Sequence, residues 1–165
     1  MNIALPVNDN LCFLDEMLSY ERQRLLKDIQ NLRAFFTEPK LWTKGAEACS
    51  VFTRNMDKAE DHGVPYYSKS AKCYCLTGAA RKLLRMKPEQ SEPKRFFFLM
   101  QLLRETIQQS PWCDGETYYC GDAMYVASWN DDSKRTFAQI KGVLHRAEKR
   151  MLTFTPKRRL TKKAA

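Results

Sequence analysis

Three groups of side chains in this sequence are of types that do chemistry. The first is Cys73-Tyr74-Cys75, which runs into Leu76-Thr77-Gly78-Ala79-Ala80. A cysteine that opens a helix has backbone N–H groups and the helix dipole beside it, and both stabilise a thiolate. A cysteine nucleophile also needs a base. His62 and His145 are available, but no signature joins either of them to Cys75. The competing reading of Cys75 is a small buried residue at a tight junction beside Gly78. That reading is favoured, because free cysteine is among the most buried residue types. Zinc-binding cysteines are normally paired across two to four residues, whereas C-Y-C leaves one and Cys113 and Cys120 leave six. No metal and no cofactor is expected.

The second group is aromatic. Tyr66, Tyr67, Tyr74, Trp112, Tyr118, Tyr119, Tyr125 and Trp129 fall in segments without helical periodicity. Converging rings would line a pocket for a nucleobase or nucleotide-like small molecule, with Lys44, Lys69 or Lys72 for its charge. Rings that do not converge are core and edge aromatics. The candidate pocket residues are Trp42, Lys44, Tyr74, Cys75, Trp112, Trp129 and Asn130. Trp42-Thr43-Lys44-Gly45 could present a lysine to an anion, but it lacks the phosphate-loop spacing. Trp129-Asn130-Asp131-Asp132 suits a ligand-facing turn and suits equally a turn held by its own side chains. No other catalytic signature is present, so an enzyme is unsupported.

The third group is cationic. The chain carries 28 Lys+Arg against 19 Asp+Glu, a net charge of +9, and the excess is unevenly placed. Residues 141–165 hold nine basic side chains and one acid, Glu148. Arg146, Lys149, Arg150, Lys157, Arg158, Arg159, Lys162 and Lys163 are therefore the candidate contacts for nucleic acid or for an acidic host protein. A solubilising tail on a helix whose last turn favours cations is the competing reading.

The elements that must position these groups are mainly helical. Asn8-Asp9-Asn10 can cap a first helix, with apolar residues at Leu14, Met17, Leu18, Leu25, Ile29, Leu32 and Phe36, a break near Ser19 and an end before Pro39. Residues 40–75 read as a short hairpin or irregular excursion. A second helix follows Cys75. A third is capped by Ser91 or Glu92, with Pro93 at its first position. Ala123 to Trp129 is a short apolar segment, and Thr136-Phe137-Ala138-Gln139 is a capping box opening the last helix. No apolar run exceeds five residues, as at Phe96 to Met100, so no membrane span is expected.

Three motifs in order carry a resemblance: W-T-K-G-A-E-A from Trp42, Y-C-L-T-G-A-A-R-K-L-L from Tyr74, and S-W-N-D-D-S-K-R-T from Ser128. The chain resembles an uncharacterised family of small bacterial and phage proteins of unknown function, with W-x-[QK]-G-A, C-x-x-G-A and W-N-D segments. Leu144-His145-Arg146-Ala147 is similar to the family's closing D/H-R-A. The resemblance covers about residues 14–152. This chain departs from it in a longer N-terminus, the aromatic region Trp112 to Tyr125 and the basic tail. The resemblance implies a fold and a phage or mobile-element setting, and it supplies no catalytic residues.

The expectation is an α+β fold, mainly α, with about four helices and a small β-hairpin or irregular excursion. It comprises a single α-rich domain over residues 1–155 and a basic tail over 156–165. The expected function is that of a non-catalytic, cytoplasmic accessory protein binding an anionic partner such as nucleic acid. The alternatives are an inhibitor of a host protein, or a nucleotide-pocket protein with Cys75 chemistry.

Overall fold

The computed structural model describes residues 12–111 and 121–156. Helix α1 (Cys12–Glu16) and helix α2 (Ser19–Phe35) are separated by a break at Met17-Leu18. Leu18 is extended, and its N–H donates to Glu21 Oε2 at 2.9 Å. Arg22 turns back and donates to Leu14 O at 3.0 Å, satisfying a carbonyl that the short first helix leaves open. The break expected near Ser19 is thus present, while the Asn8-Asp9-Asn10 caps lie outside the described residues. Leu25, Ile29 and Leu32 form the buried stripe of α2, as their spacing requires. A single 3-10 turn, Pro39–Leu41, follows.

The excursion between helices is more ordered than its composition indicates. Strands β1 (Ala48–Cys49), β2 (Gly63–Val64) and β3 (Cys73–Tyr74) make an antiparallel sheet in the order β2-β1-β3. Ala48 lies opposite Val64 on one side and Tyr74 on the other. Helix α3 (Met56–Asp61) sits between β1 and β2, capped by Asn55, whose side chain accepts from Lys58 N at 2.9 Å. Asparagine at this position satisfies an otherwise orphaned helix donor.

Helices α4 (Leu76–Leu83), α5 (Lys94–Gln108), α6 (Asp122–Asp131) and α7 (Phe137–Thr153) complete the described residues. About four helices were expected and seven are present among the described residues. The additional ones are the split α1, the polar α3, and α6, read from sequence only as a short apolar segment. In α6, Tyr125, Val126 and Trp129 fall three and four apart and are buried, and this spacing forms a helical face. Pro93 caps α5 rather than opening it. The capping box of α7 forms as expected: Gln139 N donates to Thr136 Oγ1 at 3.3 Å and Thr136 N to Gln139 Oε1 at 2.8 Å.

Helices α2 and α7 pack antiparallel. Arg22 lies against Phe154, Gln30 and Arg33 reach Glu148, and Lys141 Nζ donates to Phe36 O at 3.1 Å. Helix α5 packs on α6 and α7, and α4 lies among α2, α5 and α6. Leu14, Ile29, Leu32, Phe36, Phe96 and Leu103 are fully buried, each stabilising the fold by about 1.5–3 kcal/mol relative to exposure. Asp28 is buried among them and is balanced by Arg95, which donates to Asp28 Oδ2 at 2.5 Å. Among the described residues, no helix is long and apolar enough to cross a membrane.

Candidate functional site

Three separate segments meet at the end of strand β3. The 3-10 turn delivers Trp42, Thr43 and Lys44; β3 delivers Tyr74 and leads into Cys75; the last turn of α6 delivers Trp129, Asn130 and Asp131. Asn130 joins them and is fully buried. Its Oδ1 accepts from Trp42 Nε1 at 2.8 Å and from Leu76 N at 3.3 Å. Its Nδ2 donates to Thr43 O at 3.1 Å and to Asp131 Oδ1 at 2.8 Å. Asparagine suits this position because its amide offers both donors and acceptors, and here all four bonds are made.

Lys44 is nearly buried, and its ammonium donates to Asp132 O at 2.8 Å and to Ser133 O at 2.9 Å. It therefore sits at the C-terminal end of α6, where open carbonyls and the dipole favour a cation. Burial pulls its pKa down, and the Asp132 carboxylate partly opposes this. Asp131 accepts from Asn130 and from the Gly45 N–H, and its pKa is pushed up mainly by burial. Gly45 has φ +74°, a left-handed conformation that glycine adopts at no steric cost. Arg135 stacks on the Trp129 ring at 4.2 Å, donates to Trp129 O at 3.0 Å, and pairs with Asp132 Oδ2 at 3.0 Å.

Cys75 caps α4. Gly78 N donates to its Sγ at 3.3 Å, and Sγ and Thr77 Oγ1 are 3.0 Å apart. Burial pushes its thiol pKa up to about 11, despite the opposing hydrogen bonds from Thr77 and Gly78. A thiol in that state is neutral near pH 7 and is a weak nucleophile. Both histidines are exposed on other elements, His62 at the end of α3 and His145 on α7. Next to Cys75, a Cβ on Gly78 would stand 2.0 Å from Glu47 O, so the close backbone approach anticipated there is present.

Six of the seven candidate pocket residues are described, and all six are buried around this joint. Tyr74 lies beside it: Thr43 N donates to Tyr74 O at 3.1 Å, and Lys82 Nζ stands 4.7 Å from its ring. Trp112 lies outside the described residues. The groups expected to face a ligand face each other instead, with their polar atoms hydrogen bonded. Two open clefts lie elsewhere. One of about 720 Å³ is lined by residues 38–40 and 52–55. The other, of about 600 Å³, lies between Tyr66, Tyr67, Arg81 and Glu92.

Of the cationic candidates, Arg146 and Lys149 are exposed on α7. Arg150 turns inward and donates from Nη1 to Thr106 Oγ1 at 3.1 Å. Lys157, Arg158, Arg159, Lys162 and Lys163 lie outside the described residues. Thr43, Asp131 and Arg135 were missed as members of the joint. Arg135 was legible in principle, as a basic residue three positions beyond Asp132.

Fold and joint together define a small, mainly helical α+β domain locked by a buried polar joint. The chain belongs to a family of unknown function (DUF6197), which it matches over residues 23–150, a span that contains the whole joint. The expected membership of an uncharacterised family is met. No curated protein and no solved structure matches the chain.

Proposed function

We propose that this protein acts by binding nucleic acid phosphates, without catalysis, through the outer face of α7 and the basic end that follows it. The observation that carries this reading is the arrangement of charge on α7. Arg146 and Lys149 point to solvent, while Glu148 turns inward to Arg33 and Gln30. The single acid of residues 141–165 is thereby neutralised, leaving a cationic outer face on the last turns of the helix. A non-catalytic role accords with the neutral, buried Cys75 and with a joint whose polar groups bond one another. The reading includes an intracellular, cytoplasmic setting, bacterial or within an infected cell.

The test is a salt titration of duplex DNA binding by the full chain, by R146A/K149A, and by a chain ending at residue 156. Each phosphate contact contributes about 0.9 to the slope of log affinity against log salt, so the double variant should flatten that slope by about 1.8. Absence of binding near physiological salt, or an unchanged slope in both variants, overturns the reading. An acidic host protein then becomes the leading partner.

A further inference from the structure

The cleft of about 720 Å³ lies at the far end of α2 from Phe154. One wall is the 3-10 turn after α2, and the other is the loop from β1 to α3. Phe52, in that loop, is 52% exposed, and its ring is offered to the cleft. Lys72 Nζ stands 6.0 Å from the ring centroid. Arg54, two residues on, is exposed and has no hydrogen-bond or ion-pair partner among the described residues. The one carboxylate in the wall, Glu38, is paired with Lys40 at 2.7 Å. The site therefore joins a half-exposed aromatic ring, with the Lys72 ammonium over it, to the exposed guanidinium of Arg54.

The loop that carries Phe52 and Arg54 is held at both ends. Cys73 Sγ donates to Val51 O at 3.1 Å on one side. On the other, Asn55 N donates to Thr53 Oγ1 at 3.1 Å, and Asn55 caps α3. The backbone that presents the ring and the guanidinium is thus held before any ligand arrives, which lowers the ordering cost of binding.

We propose that this cleft binds single-stranded nucleic acid, with one unstacked base on the face of Phe52 and its flanking phosphates on Arg54 and Lys72. An aromatic face with adjacent cations is the chemistry that holds single strands without reading sequence. Bases inside a duplex do not offer their faces, so the site discriminates against paired strands. Contacts along α2 and α7 place this cleft at the opposite end of α2 from Phe154, where the basic tail begins. Helix α2 is 17 residues, roughly 25 Å, so the cleft is remote from Phe154, whereas Arg146 and Lys149 flank Glu148 beside Gln30 and Arg33; the cleft differs from that face in the residues that form it.

The test measures fluorescence anisotropy of labelled dT12, of a 12-base-pair duplex and of free thymidine monophosphate as competitor, on the full chain, F52A, F52L, R54A/K72A and the chain ending at 156. Each variant is checked for an unchanged melting temperature, which the exposure of these side chains leads one to expect. F52A should weaken dT12 binding about 5- to 100-fold, the loss expected for one stacked base, while F52L recovers little of it. R54A/K72A should flatten the salt slope on dT12 by about 1.4, and neither change should alter duplex binding. Equal dT12 affinity in F52A and the full chain overturns the proposal, as does competition by the monophosphate at the concentration of dT12. Loss of dT12 binding in F52A but not in the chain ending at 156 supports the cleft even where the α7 reading fails. The reverse pattern leaves α7 standing and removes the cleft.

Discussion

Replacing Asn130 by alanine is the sharpest test of the joint. The substitution removes one fully buried amide and leaves Trp42 Nε1–H, Leu76 N–H and Thr43 C=O without their partners. Each buried polar group left unpaired costs about 1–3 kcal/mol, and partial relaxation around the smaller side chain brings the total to about 3–5 kcal/mol. That is a large share of the roughly 5–15 kcal/mol that holds a domain together. For a chain of this size it corresponds to a fall in Tm of roughly 10 °C. Urea unfolding followed by tryptophan fluorescence measures the free-energy change, and thermal unfolding followed by circular dichroism measures the Tm. N130D is the informative companion, since it keeps an acceptor for Trp42 and Leu76. It loses both donors, however, and sets a second carboxylate against Asp131, so it should be at least as damaging at neutral pH. A Tm for N130A within about 2 °C of the unaltered protein would falsify the view that this asparagine ties the three segments together.

Gly78→Ala should cost several kcal/mol or abolish soluble expression, because its new methyl group meets the Glu47 carbonyl 2.0 Å away and neither backbone can move cheaply; yield and Tm report it. In a variant with serine at Cys12, Cys113 and Cys120, Cys75 should resist thiolate-selective labelling at pH 7 to 8 and become reactive only as pH nears 11 or as the chain unfolds; rapid labelling of native Cys75 contradicts its buried capping role. Arg33 and Gln30 hold the Glu148 carboxyl below the usual range, so its contribution is present above the ordinary glutamate value and is lost as pH falls through the lower folded value. The stability gap between the unaltered protein and E148Q should accordingly be open at pH 7 and close in acid, and a gap independent of pH would mean that the pair contributes no charge interaction.

Helix α7 was fully legible, since a capping box opens it and five apolar residues mark one face over four turns. Helix α6 was not. It has fewer than three turns, so Tyr125, Val126 and Trp129 give too short a pattern to separate helix from strand. The small sheet was half legible: the β1 segment has strand-forming residues, but Gly63-Val64 is too short to announce itself and gains its place only by pairing with Ala48 and Cys49. For the joint, sequence pointed to the right neighbourhoods and left two purposes open, a ligand-facing arrangement and one held by its own side chains. Lys44 reads as an anion contact because a lysine beside glycine has the right chemistry, yet its ammonium lies closest to the open carbonyls of α6. Nothing in local spacing shows that Asn130 reaches Trp42, because 88 residues separate them and only tertiary packing brings them together. Phe52 was passed over because residues 48–53 are β-compatible within the expected hairpin or irregular excursion, and its exposure depends on the chain leaving β1 after Cys49.

The reach of Asn130 also orders events during synthesis. Its partners at Trp42, Thr43 and Leu76 leave the ribosome long before it does, separated from it by 88, 87 and 54 positions. Until α6 emerges, the indole N–H of Trp42 and the first amide of α4 have no partner in the chain and remain hydrated. The helices before it can form early from local contacts, whereas closing loops of this length is an entropic cost met only by the complete joint. A nascent chain halted before residue 130 is therefore expected to hold helical segments without a sealed centre. Such a chain exposes apolar surface to chaperones and proteases, and a nonsense mutation a few codons upstream of Asn130 would be cleared rather than accumulate.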